Sequence, residues 1–569
     1  MLVKPVNSLY LFILPFLILA CSGSEPGTAM QSETGTAAND QASTIVKKVG
    51  REYPMSLKPG QELAAEQVLH KGNGAEVQTL DPHKAEGVPS SNVLRDLYEG
   101  LTSEAPTGEV IPGAAESWTL SEDGLVYTFK IRDQAKWSNG DPLTAHDFEY
   151  GIKRSVNPVT LSKYAYILAP IKNAEAISSG QADADTLGVK AVDDRTLEIT
   201  LKASTPYFLG LLNHSSTYPV HKASAEEYGD QFSRPGKMIS NGAYYLVDWV
   251  PQSQMKLLRN PHYWDNKNTT IDSVYYYPIE DQSTGLKRFR ANELDFTYEL
   301  PYKQLTWIKE NIGDELVIAP YLGVYYFGFN LTQPPFKDNF ALRKALTLAI
   351  DRDVITQRVT GAGEISAYNF VPPVNNYTGQ KPDWADWTQA ERLAEAKKLY
   401  AEAGYGKDNP LKISIHYNTH ENHKTISTAI AAMWKQSLGM DVELLNQEWK
   451  VFLETRKQKV DTQVFRAGWI GDYNDPYTFS ELMLSNSGLN DSAFYNDEYD
   501  ALLAKASIEI DLEKRRALLE EAERLLMSEL PIMPIYHYVT KRVVKKHVGG
   551  FHPNIMDHHF TKDLFIIKH

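Results

Sequence analysis

The stretch VFRAGWIGDYNDP, residues 464–476, brings a cation, a large aromatic ring and an acid together within seven residues. These residues are Arg466, Trp469 and Asp472, with Gly468 and Gly471 between them. Taken singly, an arginine or an aspartate is more often part of a surface ion pair, and a tryptophan is more often part of the core. On these residues alone we would expect a core tryptophan and a structural ion pair, so the meaning of the stretch depends on the sequence around it.

Strand and helix patterns alternate on both sides of this stretch. Alternating apolar residues predict strands at 126–131 and 196–201. Thr388 and Glu391 form a capping box that predicts a helix over 388–403, ended by Gly404. Further predicted elements are a helix start at Thr144 with Asp147 as its third residue, helices at 424–438 and 512–530, and a strand at 441–445. Mixed strands and helices indicate an α/β architecture.

The composition excludes several classes of protein. The chain has 569 residues, and 58 Lys and Arg against 72 Asp and Glu give a net charge of −14. This length favours two to four domains. With 42% hydrophobic and 23% charged residues, the chain is neither wholly disordered nor fibrous. The acidic balance argues against a nucleic-acid partner, because no basic field attracts phosphates.

The N-terminal segment is typical of export. Residues 9–20, LYLFILPFLILA, are too short to span a membrane, which takes about 20 residues, and predict a signal peptide over 1–20. The following Cys21 is the single cysteine, so no intramolecular disulfide is possible. The junction resembles the lipobox of bacterial lipoproteins, which implies a lipidated Cys21 and a flexible tether over 21–54. A secretory signal with a chance cysteine is the alternative.

The usual signatures of catalysis are absent from the sequence. There is no phosphate-binding GxxxxGK[ST] loop, no GxSxG elbow and no HExxH helix. His416, His420 and His423 could ligate a metal if they faced one another, but KISIHYN at 412–418 predicts a strand running into a loop. We therefore expect no enzyme, no cofactor and no metal site.

Several further segments carry a specific resemblance. They are GAEVQTLDPHKAEGVPSSN at 74–92, AESWTLSEDGLVYTFKIRDQAKWSNGDPLTAHDF at 115–148, NGAYYLVDWV at 241–250, LRKALTLAIDRDVI at 342–355, NQEWKVFLETR at 446–456 and VGGF at 548–551. Together with 464–476, and in this order, they resemble the oligopeptide-binding proteins of ABC importers, the peptide-binding branch of the family 5 solute-binding proteins. The resemblance covers 57–569, and its RAGWxxDYNxP motif is particular to that branch.

The resemblance implies a periplasmic-binding-protein-like class II clam of two lobes in a three-domain variant. Domain I would comprise 55–98, 223–324 and 541–569, domain II 99–222, and domain III 325–540. An extended peptide would be enclosed between the lobes.

The resemblance also implies a set of peptide contacts. Any peptide offers an ammonium, a carboxylate and a backbone, and a receptor indifferent to side chains binds those three. The implied contacts are Asp472 for the ammonium; Glu86, Val88, Arg466 and Gly468 for the backbone; Arg466, Arg456 and His423 for the carboxylate; Trp469 and Asn490 along the groove; and Tyr164 near the N-terminal end of the ligand. Thr360 replaces a groove lysine that meets longer peptides in relatives, and Gly323 and Ile470 stand where some relatives carry a disulfide.

The function expected from this reading is a receptor outside the cytoplasm, in the periplasm or on the outer face of the plasma membrane. It would be a monomer, held to the membrane by its lipid anchor alone. It would bind short peptides with little side-chain selectivity and deliver them to an ABC permease and its ATPase subunits. A dedicated murein-peptide or other narrow-ligand receptor of the same family is the alternative. A secreted hydrolase or a chaperone-like surface protein is a third reading.

Overall fold

The computed structural model describes residues 45–47, 54–374, 377–509 and 511–569. The predicted signal peptide, Cys21 and most of the predicted tether lie outside the described residues. No helix in the described part of the chain has both the length and the apolar character needed to cross a membrane.

Local sequence signals set many element ends. The strand Val126–Ile131 forms as predicted and pairs antiparallel with Thr196–Thr200. The helix Gln389–Glu402 begins at its capping box, where the Thr388 N–H donates to Glu391 Oε2 at 2.8 Å and the Glu391 N–H donates to Thr388 Oγ1 at 3.3 Å. These reciprocal bonds satisfy N–H groups that a helix start leaves without partners.

One helix differs from its prediction because of tertiary contacts. The helix Glu421–Leu438 begins three residues before the predicted start at 424. The Glu421 N–H donates to Gln282 Oε1 at 2.9 Å, so a residue distant in sequence caps the first turn. The helix ends as predicted at Gly439, whose φ of 72° is the left-handed conformation that glycine adopts without strain.

The residues that the structure describes form three larger sheets, and the strand order differs from one sheet to the next. The first contains, in spatial order, Tyr244–Val250, Gln254–Arg259, Ser273–Tyr277 and Val68–Gly72. The second contains Ala115–Leu120, Val126–Ile131, Thr196–Thr200 and Val189–Asp193. The third, the six-stranded sheet, contains Ile365–Ser366, Ile532–Val543, Leu316–Phe329, Val464–Ile470, Lys412–Asn418 and Asp441–Gln447. Two-stranded pairs join Ile45–Lys47 to Pro54–Ser56, Thr102–Glu104 to Val110–Pro112, and Val548–Gly549 to Phe565–Ile566.

The helices of seven residues or more cover the sheets and connect them. They are Val88–Leu97, Ala145–Val156, Lys222–Tyr228, Gln282–Arg290, Leu305–Ile312, Phe340–Leu348, Gln389–Glu402, Glu421–Leu438, Trp449–Gln458, Asp497–Ala506 and Leu512–Glu529. The predicted mixture of strands and helices is therefore present.

Two long strands of the six-stranded sheet cross the predicted domain limits. Leu316–Phe329 runs across the limit at 324/325, and Ile532–Val543 runs across the limit at 540/541. They pair antiparallel with each other from Leu316 to Gly328, with register shifts on the way. The first sheet lies wholly in the ranges predicted for domain I and the second in that for domain II. The three-domain division and its limits stay a prediction.

The core of the six-stranded sheet shows how polar groups are accommodated. Trp434 is fully buried, and its Nε1–H donates to the Leu346 carbonyl at 2.9 Å. Arg352 is also fully buried, and its Nε–H donates to the carbonyls of Ala367 at 2.9 Å and Pro534 at 2.8 Å. Leaving a buried hydrogen-bond donor without a partner costs roughly 1–3 kcal/mol of folding stability. These hydrogen bonds avoid that cost, and so they allow both side chains to be buried.

Candidate functional site

A large cavity contains the residues that the sequence singled out. Its empty space is about 1700 Å³, including solvent at its mouth. Nine of the ten predicted peptide contacts line it: Glu86, Val88, Tyr164, His423, Arg456, Arg466, Gly468, Trp469 and Asp472. These residues come from separate parts of the chain, so the fold assembles the site.

The strand Val464–Ile470 exposes an unpaired edge to this cavity. On one side it pairs along its whole length with Leu316–Phe329. On its other side, the strand Lys412–Asn418 faces Val464 and Phe465 alone. Among the described strands, residues 466–470 therefore have no neighbour on that side. An unpaired strand edge presents N–H and C=O groups that an extended peptide can pair with.

Asp472, just past the end of this strand, is a largely buried acid without a close cation. Its Oδ2 has no hydrogen-bond partner in the described part of the structure, and its Oδ1 lies 3.7 Å from His214 Nε2. Burial raises the pKa of Asp472 to about 8, against the opposing effect of Arg95. Burial also lowers the pKa of His214 to about 3, so this histidine is neutral. The site can therefore gain by accepting a cationic group.

Aromatic rings enclose the space beside Asp472. The ring of Tyr164 lies 4.5 Å from that of His214 and 6.3 Å from that of Trp469, with the latter planes 22° apart. Trp469 Nε1–H donates to the Thr478 carbonyl at 2.7 Å, which fixes the indole. The end of the cavity at Asp472 thus combines one acid with largely apolar walls.

Glu86 and Val88 approach from the other side of the cavity. Glu86 Oε2 pairs with Lys163 Nζ at 3.1 Å, and the Glu86 N–H donates to Gln78 Oε1 at 3.0 Å. Between them Gly87 has a φ of 80°, and a Cβ there would lie 2.9 Å from Trp449 Cζ2. Glycine therefore allows both the turn and the close approach of the tryptophan.

Arg466 lies on the strand that precedes Asp472, lines the same cavity and forms no ion pair within the described residues. One Nη2–H donates to Tyr538 OH at 2.9 Å, and Nη1 reaches Asn418 Oδ1 at 3.4 Å. Its Nε is buried and has no hydrogen-bond partner in the described structure. The guanidinium lies 4.9 Å above the ring of Tyr325. A cation in this condition can accept a ligand carboxylate, ideally through two hydrogen bonds.

Two stacked histidines lie near Arg466. Burial, followed by the charges of Arg466 and other neighbours, lowers the pKa of His423 well below its usual value. Its ring stacks on that of His420 at 4.1 Å, and His420 Nε2 lies 3.0 Å from Glu299 Oε2. Burial alone would raise the pKa of Glu299, but His420, Lys541 and Arg466 bring it down to about 2. His423 can therefore offer a hydrogen bond to a carboxylate but no positive charge.

Arg456 and Asn490 are less available to a ligand than the other predicted contacts. Arg456 lines the cavity, but its Nη2 already pairs with Asp491 Oδ2 at 2.9 Å. Asn490 does not line the cavity: its Nδ2–H donates to the Phe494 carbonyl at 2.6 Å and its Oδ1 accepts from the Phe494 N–H at 3.1 Å. Asn490 holds its own loop together, a role that local sequence does not distinguish from ligand contact.

The structure accounts for the residues at three positions where the sequence departs from the family pattern, Gly323, Ile470 and Thr360. Gly323 and Ile470 are direct partners across two strands, and a Cβ on Gly323 would lie 2.5 Å from Ile470 Cδ1. The isoleucine thus fills the space between these strands. Thr360 is buried away from the cavity lining, where its Oγ1–H donates to Glu364 Oε2 at 2.8 Å.

Sequence reasoning missed several residues that line the cavity. They are Arg95, His214, Glu299, Trp449 and Tyr538. Trp449 lies within the matched stretch 446–456, and Arg95 lies just after 74–92, so both could have been found. The other three have no local motif, because tertiary structure alone brings them to the cavity.

No group of three or more His, Cys, Asp or Glu side chains is arranged to hold a metal, as far as the described residues extend. His416 Nε2 lies 3.1 Å from Ser414 Oγ, whereas His420 and His423 stack on each other.

A family model described as bacterial extracellular solute-binding proteins, family 5 middle, matches residues 109–491. The periplasmic oligopeptide-binding protein OppA of Escherichia coli K12 is 44% identical over 517 residues, which cover 90% of this chain and 94% of OppA. The periplasmic murein peptide-binding protein MppA of the same strain is 40% identical over 529 residues, which cover 92% of this chain and 98% of MppA.

Solved structures show the same similarity. A structure of Escherichia coli MppA matches with a TM-score of 0.87 and 40% identity, covering 89% of this chain and 100% of that chain. Haemophilus influenzae OppA in complex with the peptide RPPGFSPFR matches with a TM-score of 0.86, 40% identity and the same coverage. The unliganded open form of MppA, at 40% identity over 90% of this chain and 99% of that chain, has a TM-score of 0.63. The arrangement described above is therefore nearer to the peptide complex than to the open form.

Proposed function

Because the chain belongs to family 5 of the bacterial extracellular solute-binding proteins, we propose that it is a receptor for short peptides with free termini. The predicted α/β fold of this family is confirmed by the match to the MppA and OppA structures. The family is one of binding proteins, and we propose that this chain likewise binds its ligand without changing any bond.

The observation that carries the proposal is a pair of ionisable groups without counter-ions in one cavity. Asp472 has no close cation, and Arg466 has no carboxylate partner in the described structure. The unpaired edge 466–470 connects them. A zwitterionic peptide in extended conformation complements all three features, because its ammonium, backbone and carboxylate satisfy acid, edge and cation in turn.

We expect this mode of binding to give low selectivity for the side chains of the peptide. The contacts proposed for Asp472, Arg466 and the strand edge involve groups that every peptide carries. The side chains would project into the remaining space of the cavity, where water can adapt the contacts at little cost. We therefore expect a mixture of peptides rather than one compound in the site.

Delivery to a transporter follows from the family. We propose that a monomer closes its two lobes on the peptide and presents the closed form to an ABC permease, whose ATPase subunits supply the energy. Closure by a ligand selects among states that the free protein already samples.

We further propose that Cys21 carries the lipid that holds this receptor at the membrane outside the cytoplasm. Acyl chains can hold a protein at a membrane without any spanning helix. Replacing Cys21 by Ser should move the protein from the membrane fraction to the soluble fraction and abolish incorporation of labelled fatty acid. Continued membrane association of C21S would contradict the anchor.

Mass spectrometry of small molecules released by acid from the purified protein tests the proposed function. We expect a mixture of short peptides from the unmodified chain and almost none from Asp472→Ala. One dominant murein peptide would favour the narrower role that the 40% identity to MppA suggests. Release of intact metabolites other than peptides would overturn the proposal.

A further inference from the structure

The long helix Glu421–Leu438 begins without a cap of its own. Its N-cap residue, His420, makes no side-chain hydrogen bond to the first turn. The local sequence predicts a start at 424, yet the helix starts three residues earlier, and the added turn carries His423, which lines the cavity. The first N–H groups of a helix have no partner within the helix, so an uncapped first turn tends to fray. This turn therefore depends on contacts from outside the helix.

These contacts come from a segment predicted to lie in domain I, whereas the helix is predicted to lie in domain III. The Glu421 N–H donates to Gln282 Oε1 at 2.9 Å, and Gln282 Nε2–H donates to the Glu280 carbonyl at 2.8 Å. Ser283 Oγ–H donates to Glu421 Oε2 at 2.8 Å. Gln282 is 4% exposed. It is thus a buried cap, held from behind, that one predicted domain supplies to a helix of another.

Asn422 makes the matching contact from the helix side. Its Oδ1 accepts from the Tyr302 N–H at 3.2 Å, and its Nδ2–H donates to the Leu300 carbonyl at 2.9 Å. Asn422 is 2% exposed, and both ends of its amide are therefore satisfied by the backbone of the other segment. We call the hydrogen bonds of Gln282, Ser283 and Asn422 across these two segments the clasp.

The domain I side of the clasp belongs to a small unit with a hydrophobic core of its own. The cluster separate from the main core consists of Leu286, Phe289, Leu294, Leu300, Ile308 and Val543. The clasp itself consists of hydrogen bonds, which can be exchanged for hydrogen bonds to water at a modest net cost. Contacts between domains that move are more polar than those in permanent interfaces. The composition of the clasp is therefore that of a contact which can open and close.

Building on the proposed function, we propose that closure of the lobes on a peptide forms the clasp, and that the clasp builds the helix turn 421–423. In the open receptor the helix would begin at 424, as its local sequence predicts. In the closed receptor Gln282 caps the added turn and thereby places His423 at the cavity. Gln282 and Asn422 do not line the cavity, so they are positioning residues that act on the peptide through this turn.

Hydrogen–deuterium exchange of the full-length protein with and without trialanine tests this proposal. We expect the backbone amides of 421–425 to exchange at least about tenfold more slowly when trialanine is bound, because the turn forms on closure. The amides of 428–436, in the interior of the same helix, should change little. Equal exchange of 421–425 in both states would overturn the proposal and leave the proposed function standing. Failure of trialanine to bind would instead contradict the proposed function.

Two variants distinguish a turn built by the clasp from simple shielding by the peptide. Gln282→Ala removes the cap, so exchange at 421–425 should stay fast at saturating trialanine. The affinities for trialanine and trilysine should fall by the same factor, about fivefold, because the closed form loses one cap. Thr284→Ala, at an exposed position of the same helix Gln282–Arg290, is the matched control and should change neither exchange nor affinity.

Slow exchange at 421–425 in trialanine-bound Q282A would overturn the proposal, and so would a loss of affinity that differs between the two peptides. If Q282A does not fold by thermal denaturation, Ser283→Ala replaces it. This variant removes the hydrogen bond to Glu421 Oε2 and leaves the cap, so it should raise exchange at 421–425 and lower both affinities by a smaller common factor. Unchanged exchange in S283A would then overturn the proposal.

Discussion

Asp472 shows how one residue can store free energy for binding. Burial without a close cation raises its pKa to about 8, far above the ordinary value of an aspartate. A carboxyl whose pKa is higher in the folded state than in the unfolded state reduces stability as the pH rises between those two values. The fold bears this loss in the free protein, and an incoming ammonium relieves it. This is a common condition of functional sites, which sacrifice stability for activity.

The first prediction concerns Asp472→Asn. The variant should bind trialanine at least about 100-fold more weakly, because the ammonium loses its charged partner. The ligand-free variant should also melt at a higher temperature than the unmodified protein at pH 8, and at the same temperature near pH 4, where the carboxyl is protonated in the folded state. Thermal denaturation across this pH range measures the difference. A lower melting temperature of D472N at pH 8 would contradict the proposed burial of an uncompensated charge.

The second prediction is proton release on binding. Below pH 8 the free Asp472 is mostly protonated, and pairing with an ammonium ionises it, so nearly one proton should leave per peptide at pH 7. Affinity should rise between pH 6 and 8, and then fall as the peptide amine, with a pKa of about 8, loses its proton. Titrations at pH 7 in buffers of different ionisation enthalpy measure the released proton. A binding enthalpy independent of the buffer would argue against the ionisation of Asp472.

At the scale of elements, the strand Val464–Ile470 is both a core strand and a binding edge. One side is paired throughout, whereas residues 466–470 on the other side pair with none of the described strands. Gly468 lies at the centre of this edge, and a Cβ there would be 2.7 Å from Tyr538 OH and 3.3 Å from Arg466 Nη2. A side chain at this position would displace the hydrogen bond that orients Arg466.

The third prediction is that Gly468→Ala weakens peptide binding by about tenfold with little change in melting temperature, because one oriented, charge-assisted hydrogen bond is lost. Gly285→Ala is the matched control, since its Cβ would meet Ile279 at an ordinary 3.8 Å. Calorimetry on both variants checks this. If G468A bound as tightly as the unmodified chain, the edge would not be the peptide-binding surface.

A second element-scale contact joins segments predicted to lie in different domains, with Tyr207 in domain II and Tyr473 in domain III. The ring of Tyr207 stacks on that of Tyr473 at 4.8 Å with planes 3° apart, and the guanidinium of Arg515 lies 5.0 Å from the centre of the Tyr207 ring. Arg515 is held by Asp475 through bonds of 2.9 and 2.8 Å. This contact requires no ligand, and we propose that it stabilises the closed form independently of the peptide.

The fourth prediction is that Tyr207→Ala lowers affinity by the same factor, about tenfold, for every peptide tested, because it reduces the fraction of closed protein rather than a specific contact. Dissociation should become faster by surface plasmon resonance. Tyr207→Phe keeps the ring and should behave like the unmodified protein. If the loss of affinity differed between trialanine and trilysine, Tyr207 would contact the peptide directly rather than stabilise the closed form.

At the scale of the whole molecule, sequence predicted more of the elements than of their relations. The strand Val126–Ile131 and the capping box at Thr388 depend on neighbours in the chain, and both form as predicted. The early start of the helix at Glu421 depends on Gln282, which no local pattern reveals. Helix and strand signals are local, whereas caps supplied from elsewhere are not.

For the candidate site, too, the sequence predicted which residues lie there better than it predicted their contacts. The motif at 464–476 and the resemblance it carries predicted ten contacts, and nine of them line the cavity. The sequence could not predict that Arg456 forms an ion pair with Asp491, or that Asn490 hydrogen-bonds within its own loop. Ion pairing depends on which side chains meet in space, and in a chain with many charges the possible pairs far outnumber those formed.

We propose that the protein holds both charged ends of a short peptide at once. Titration with trialanine, N-acetyl-trialanine and trialanine amide separates the contributions of the two ends. We expect the free peptide to bind and each capped peptide to bind at least about 100-fold more weakly, since each cap leaves Asp472 or Arg466 without a partner. Equal binding of all three peptides would contradict the claim.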